Sequence, residues 1–500
     1  MSVLFNFIPG SGLIAPGNFA EVNSGGQYQS TSHILVLGHK SAAGSLAADT
    51  ITLCNTFEEA AALAGPGSQL YETFREARLK SPVATIYVSA IPVTGTAAAW
   101  TVTIGTLPAA GGTGILEIAG RKIPLSVAAG ATAAAVATAL AAAINAYADP
   151  LTQAYLPVTA AAASNVVTLT ARHAGATMNE IEVASDAGLA GNIFGPAGVL
   201  TIAQSVTGSG TASVATTLAN LGDYPFDMVI SPFSDTSNCD AAQAAFSDVS
   251  GRWAWYVQLY GHYWTVMTGD TAAKTSFGLA RNDATITTLG RTASPTPSWE
   301  WLAAYAARQF AWLTDDTNGN AARNQSDIPL EGIRPPRSRA LWPNYQINNT
   351  LLGSGISTWK VNGAGQVVIE KTVTMRRVNA AGMPDSVFRS VQVRYLVMLG
   401  LRFLRAGLSY RHANKAAAAA NPGNLPAIST PDDVRADLIA LYGELVDRGL
   451  FSDKAGFARR LKVEQDASNP SRFNIAFHGE NVNPLDILAM NATIYNVFPA

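Results

Sequence analysis

A strand–helix–strand pattern over residues 33–88 breaks off at residue 91 and resumes only after 209, and this interruption limits the folds open to the chain. His33-Ile34-Leu35-Val36-Leu37 is apolar at every position after the histidine, as a strand covered on both faces must be. Residues 57–64 and 69–80 have helical composition, and 83–88 returns to strand. Strands joined through helices in this way form crossover units, which lie in parallel sheets. Residues 91–209 are different in kind. Gly, Ala and Thr dominate and only eight charged residues occur. Short alternating strands recur at 100–104, 114–118 and 166–170, beside an alanine-rich helix at 132–146. The α/β pattern then returns with a helix near 214–221, strand 226–231, helix 238–250, strand 253–260 and helix 298–313. The expected fold class is therefore α/β, an interrupted core with an inserted β-rich domain.

The remainder is mixed. Residues 315–344 form a polar, proline-rich loop. Strands at 357–361 and 366–375 follow, separated by Asn362-Gly363, a strong hairpin signal. A long helix is expected over 385–413, with Asp385 helping to cap it. Thr430-Pro431-Asp432-Asp433 sets an N-cap, a proline at the first helical position and acids in the first turn, which opens a helix to about Arg448 before Gly449. Strands are expected at 457–464, 472–477 and 485–495. At the other end Val3, Leu4, Phe5, Phe7 and Ile8 have strand composition with apolar side chains on both faces, and Pro9-Gly10 and Pro16-Gly17 cut the segment off from local partners. Its main-chain groups need another sheet edge. The division expected is an N-terminal arm (1–20), an α/β core in two parts (21–90 and 210–345), the insertion (91–209), an α+β C-terminal domain (346–484) and a C-terminal arm (485–500).

Charge restricts the function. Only 14 % of residues are charged, against about 25 % in an average soluble protein, which excludes a disordered chain and suggests surface hidden in a large assembly. The charges are also unevenly placed: residues 331–415 carry 13 basic and 3 acidic groups, whereas 1–330 carry 13 and 22. Such a basic sector can meet nucleic acid, an acidic partner or the acidic part of another copy. Arg394, Arg402, Arg405 and Arg411 lie along the expected helix, with Arg394 and Arg405 three turns apart on nearly one face. Arg334, Arg337 and Arg339 sit in a proline-stiffened loop with Trp342, where they either contact nucleic acid or pair with neighbouring acids. No membrane span is expected, since 128–148 is mostly alanine and 395–404 is broken by Arg402. The start, Met1-Ser2-Val3-Leu4, has no basic region of a secretory signal.

Catalytic patterns are missing. The chain has no phosphate-binding Gly-Lys-Ser/Thr loop, no Gly-x-Ser-x-Gly elbow and no His-Glu-x-x-His. Asp315-Asp316-Thr317-Asn318-Gly319-Asn320 has its glycine at the wrong place for a calcium loop and no closing Glu. Asp227, His262 and Ser276 make a triad on paper only. Cys54 and Cys239 read as buried thiols. No catalytic, cofactor-binding or metal-binding residue is assigned, and no cofactor is expected.

In the C-terminal part, the helix from Pro431 is followed by Ala458-Arg459-Arg460-Leu461-Lys462-Val463, Asn469-Pro470-Ser471-Arg472-Phe473-Asn474-Ile475 and Val482-Asn483-Pro484-Leu485-Asp486-Ile487-Leu488-Ala489. The insertion carries Ile118-Ala119-Gly120-Arg121-Lys122-Ile123-Pro124. In this order the motifs resemble those of contractile-tail sheath proteins, most of all the sheaths of Mu-like myophages. The resemblance implies a structural subunit, not an enzyme, that stacks as hexameric rings around a tail tube and contracts from a metastable extended state. It implies that Val3, Leu4, Phe5, Phe7 and Ile8, with Leu485, Ile487, Leu488, Ile494 and Tyr495, form strand-exchange arms. Leu461, Val463, Phe473, Ile475 and Phe477 would belong to the acceptor sheet. Partners implied are other copies of the chain, the tail tube protein, and the baseplate and tail terminator proteins, with no nucleic acid and no membrane insertion. The place implied is the virion tail, after assembly in the host cytoplasm. Arg394, Arg402, Arg405 and Arg411 are the candidates to face the tube. A sheath from a headless injector (an R-type bacteriocin or secretion system) fits the same residues. From other classes, an α/β enzyme or a nucleic-acid-binding protein using 331–415 stays open.

Overall fold

The computed structural model describes residues 32–186 and 188–494. Val3, Leu4, Phe5, Phe7, Ile8 and Tyr495 lie outside the described residues.

One eight-stranded sheet runs through the centre, in the order 367–371, 356–361, 286–291, 262–268, 226–230, 33–38, 85–90, 51–53. The six inner strands are parallel. At each edge the last strand is antiparallel. His33–Gly38 pairs with Thr85–Ala90 on one side and Phe226–Ile230 on the other. Chain from both sides of the insertion therefore builds a single sheet. Ile34 and Val36 pack on one face with Phe74, Trp264, Trp301 and Tyr305, while Leu35 and Leu37 pack on the other with Val229, Cys239 and Tyr263. This two-sided burial is why the strand sequence is continuously apolar.

Helices Phe57–Ala64, Gln69–Lys80 and Ser298–Leu313 cover the first face. Thr56 and Glu59 make a reciprocal capping box, and the Ser68 hydroxyl accepts the N–H of Tyr71. The insertion has its own antiparallel sheets, one of four strands (200–206, 99–104, 166–171, 158–163) and one of three (121–127, 112–118, 183–185). They close over helix Ala133–Asn145 around Leu116, Ile118, Leu140, Val167 and Leu169. At the C-terminal end, helices Val391–His412 and Pro431–Asp447 pack through Leu396, Leu404, Leu438 and Leu441. The mixed α/β class stands as expected.

Several elements differ from expectation. Residues 253–260 are a folded-back loop, and the strand is His262–Thr268. Gln258 and Tyr260 have positive φ, and Arg252 holds the loop by donating to the carbonyls of Gly222, Tyr224 and Tyr260. The long helix starts at Val391 because the Asp385 carboxylate accepts the N–H groups of Val387 and Phe388, forming a turn upstream. Helix Thr236–Ala245, capped by Asp235, is shorter than expected. Residues 454–460 are helical, which leaves only Lys462–Gln465 of the strand expected at 457–464. Residues 485–494 carry no strand. Strands Ile51–Leu53 and Ile286–Arg291 and helix Thr271–Leu279 are additions.

Candidate functional site

In open parallel sheets, ligands sit beyond the carboxyl ends of the strands where the order reverses. Here that point lies between strands 33–38 and 226–230. The insertion closes over it and leaves a cavity of about 250 Å³ lined by His39, Thr177, Glu180, Phe233 and Asp235. The His39 ring stands 5.3 Å from the His173 ring and 4.8 Å from Phe233. Its Nδ1 lies 2.8 Å from the Ile91 carbonyl. The Gln69 side chain accepts the N–H of His39 and donates to the Thr177 hydroxyl. Burial pulls His39 to about 4 and His173 to about 3, so both rings are neutral.

The imagined triad does not assemble. Asp227 is bound to Arg402, and His262 is buried with Nε2 2.8 Å from the Thr287 hydroxyl. The Asp315 carboxylate is taken up by Thr317 and Asn320 within its own turn. Among the described residues no group of three or more His, Cys, Asp or Glu is placed to hold a metal. Burial pushes the thiols of Cys54 and Cys239 up to about 12.

The basic helix is partitioned along its length. Its first turns are buried, and the exposed surface begins at Leu401. Arg394 is only 8 % exposed, with its guanidinium 3.8 Å from the Trp253 ring. Arg402 grips the buried Asp227 carboxylate with two bonds of 2.6 and 2.8 Å and also donates to the Leu259 carbonyl. Arg411 pairs with Asp437 and Glu444 of the next helix. Only Arg405 of the four is fully at the surface. Of the candidates to face the tube, Arg402 is thus an anchor of the helix on the sheet, Arg394 a buried group stacked on the Trp253 ring, and Arg411 a helix–helix tie. The reason is that the three-turn spacing holds, but the face it defines runs from the protein interior out to solvent.

Four more cations of the basic sector are matched by acids outside it. Arg334 pairs with Glu117, Arg337 with Glu117 and Glu182, Lys360 with Asp327 and Lys371 with Asp486. Arg334 and Arg337 therefore clamp the proline-rich loop onto the insertion. Behind that clamp, sequence reasoning missed a buried cluster. Arg75 contacts Glu72, Glu76 and Glu300, and Arg121 of the insertion contacts Glu72 at 2.6 Å and Glu300 at 3.1 Å. Glu72, Arg75 and Glu76 have the three–four spacing of a solvated helix face, so nothing in the pattern marks them as buried.

At the C-terminal end, Lys462–Gln465 and Phe473–Ala476 form an antiparallel pair with Val463 opposite Ile475 and Gln465 opposite Phe473. Neither strand pairs with a third among the described residues. Leu461 is buried at the foot of this hairpin, and Phe477 packs on Phe451 and Phe457. Leu485, Ile487, Leu488 and Ile494 are exposed, Ile487 at 81 %.

Comparison with known proteins gives this arrangement a family. Residues 207–375 match the family model described as phage tail sheath protein central domain. Among solved structures, the chain is similar to a sheath tail protein from Desulfitobacterium hafniense (13 % identity, TM-score 0.48, 94 % of this chain and 97 % of that one). It is also similar to a sheath tail protein from Listeria innocua (14 % identity, TM-score 0.45, 90 % and 92 %). A curated relative, the Mu-like prophage FluMu tail sheath protein of Haemophilus influenzae, is 31 % identical over 501 residues, covering 98 % of this chain and 99 % of that protein. The chain belongs to the phage tail sheath protein family, whose members are structural tail components and not enzymes.

Proposed function

We propose that this chain is the repeating subunit of a contractile phage tail sheath, stacking as hexameric rings around the tail tube and contracting from a metastable extended state to drive the tube through the host envelope. The observation that carries the reading is the match to a tail sheath protein over 98 % of this chain. Two features support it. The hairpin 462–476 offers strand edges with no partner among the described residues, and residues 485–494 form no strand and expose Leu485, Ile487, Leu488, Met490 and Ile494. A strand added to such an edge gains main-chain hydrogen bonds worth about 1 kcal/mol each, net. In this reading Leu485, Ile487 and Leu488, with the Val3–Ile8 segment, supply strands to the sheet of a neighbour's Val463, Phe473 and Ile475. Head-to-tail contacts of this kind close into a ring where the rotation allows and, from ring to ring, continue as an open helix.

Contraction then needs no nucleotide, because a kinetically trapped lattice relaxes once it is released at one end. The insertion 91–209 takes the outer position and the part of 346–484 that follows the central-sheet strands 356–361 and 367–371 the tube-proximal one, with Arg405 as an exposed cation available to the tube. Partners are further copies, the tail tube protein, and baseplate and terminator proteins; the place is the virion tail, after assembly in the host cytoplasm. Negative-stain electron microscopy of the purified chain beside a variant lacking residues 1–16 tests this. Hollow tubes from the full chain, lost on removal of the arm, are expected. Monomers or dimers from both would overturn the proposal.

A further inference from the structure

Arg394 stands apart from the other buried arginines. Among the described residues Arg75, Arg121, Arg252 and Arg291 all have carboxylates or carbonyls as partners. Arg394 has none. Its guanidinium lies between the Trp253 ring, at 3.8 Å, and the Phe388 ring, at 5.0 Å, and its Nε is buried without a hydrogen bond. The group opens on a polar cavity of about 440 Å³. The other charges there are largely paired: Asp240 and Asp283 with Arg281, and Arg376 with Asp385. Asp248, at the rim, attracts Arg394 without touching it. Burying a guanidinium with no acceptor in contact is unfavourable, so a carboxylate brought closer to it than Asp248 would be stabilised.

The rim of the same cavity carries exposed apolar surface. Val249 lies between the lining residues Asp248 and Ser250, and Tyr256 donates its hydroxyl to the Ser250 carbonyl at 3.4 Å. Trp255 is 79 % exposed and meets the Tyr256 ring edge-on, 5.4 Å between centroids. The loop that presents them is held by Arg252 and by the Trp253 indole N–H, which donates to the Gly261 carbonyl at 2.9 Å. Trp, Tyr and Arg on a rigid support are the residue types that concentrate binding energy at protein interfaces.

We infer that Val249, Trp255, Tyr256 and the Arg394 socket form a contact surface for a second copy of this chain, which inserts a carboxylate flanked by apolar side chains. The match is one of charge and number. A guanidinium fork selects a carboxylate, and residues 1–330 of each copy carry 22 acidic against 13 basic groups. The inference rests on the sheath reading. It adds a body-to-body contact that is separate from the exchanged arms.

Hydroxyl-radical footprinting of the full chain, dilute and assembled into tubes, tests it by mass spectrometry at Trp255 and Tyr256. Oxidation at least tenfold slower in tubes is expected. Tubes in which Trp255 stays as reactive as in dilute chain overturn this inference alone, as does protection that appears only when tube protein is added. Failure to form tubes at all overturns the sheath reading along with it. The double variant W255S/Y256S should melt with the wild type yet need about ten times the concentration to assemble, and R394K should shift assembly in the same direction. Assembly of W255S/Y256S at wild-type concentration counts against the contact.

Discussion

At the scale of single residues, the cluster that ties the insertion to the core holds one charge too many. Three glutamates face two arginines where water is excluded. Burial pushes Glu300 up to about 7, although Arg121 and Arg75 pull the other way. A carboxyl whose folded pKa lies above its unfolded value holds its proton more tightly when folded. Its stabilising effect is complete below the unfolded value of about 4.3 and is lost as pH rises through about 7. Wild-type protein should therefore lose on the order of 3 kcal/mol between pH 5 and 8 that E300Q does not lose, as read from urea midpoints across that range; parallel profiles would refute the assignment. Arg402 gives the complementary case. Asp227 is fully buried, so R402M leaves an uncompensated carboxylate and should destabilise by about 3–5 kcal/mol. R405E, at the surface, should stay within about 0.5 kcal/mol of wild type. Equal losses from the two variants would contradict the division between anchor and exposed cation.

At the scale of elements, what could be read was whatever carries its own local signal. Helix Pro431–Asp447 opens as Thr430-Pro431-Asp432-Asp433 indicates, with Thr430 and Asp433 bonding each other's backbone N–H. It stops at Gly449, whose φ is +75°. A Cβ there would meet the backbone of Gly319 at 2.8 Å, where the Gly319 N–H donates to the Arg448 carbonyl. T430A should remove about 1 kcal/mol, and G449A more than that, because an unfavourable φ and a backbone clash coincide; chemical denaturation with an unchanged m-value is the check. Elements with their cause elsewhere were not legible. Strand 286–291, Ile-Thr-Thr-Leu-Gly-Arg, is half polar by composition yet wholly buried. Residues 253–260 have strand composition, but the loop is set by Arg252 bonding carbonyls up to 30 positions away. The helix expected at 385 was displaced because Asp385 serves a turn and pairs with Arg376.

For the whole molecule, the candidate site was legible in its ordering and not in its charges. The motifs near 118, 431, 459 and 485, taken in order, carry the resemblance, and the 31 % identity to a tail sheath protein over 98 % of the chain agrees with it. The basic sector misleads because its acids lie far off in sequence, 217 positions for Arg334 and Glu117 and 175 for Arg402 and Asp227. The exposed end of the described chain carries the last test. Residues 485–494 form no strand; an ion pair from Asp486 to Lys371 and a hydrogen bond from the Asn324 side chain to the Leu485 carbonyl tie them to the rest of the chain. A partly exposed pair of this kind contributes about 0–1 kcal/mol, whereas Leu485, Ile487, Leu488 and Ile494 leave large apolar surface in water. A segment of that composition adds little to the isolated fold and much to any surface that covers it. Removing residues 485–500 should therefore leave the melting temperature within about 2 °C of wild type while abolishing tubes in electron microscopy. A truncated chain that still forms tubes, or one that melts far below wild type, would show that the segment serves its own subunit and not a neighbour.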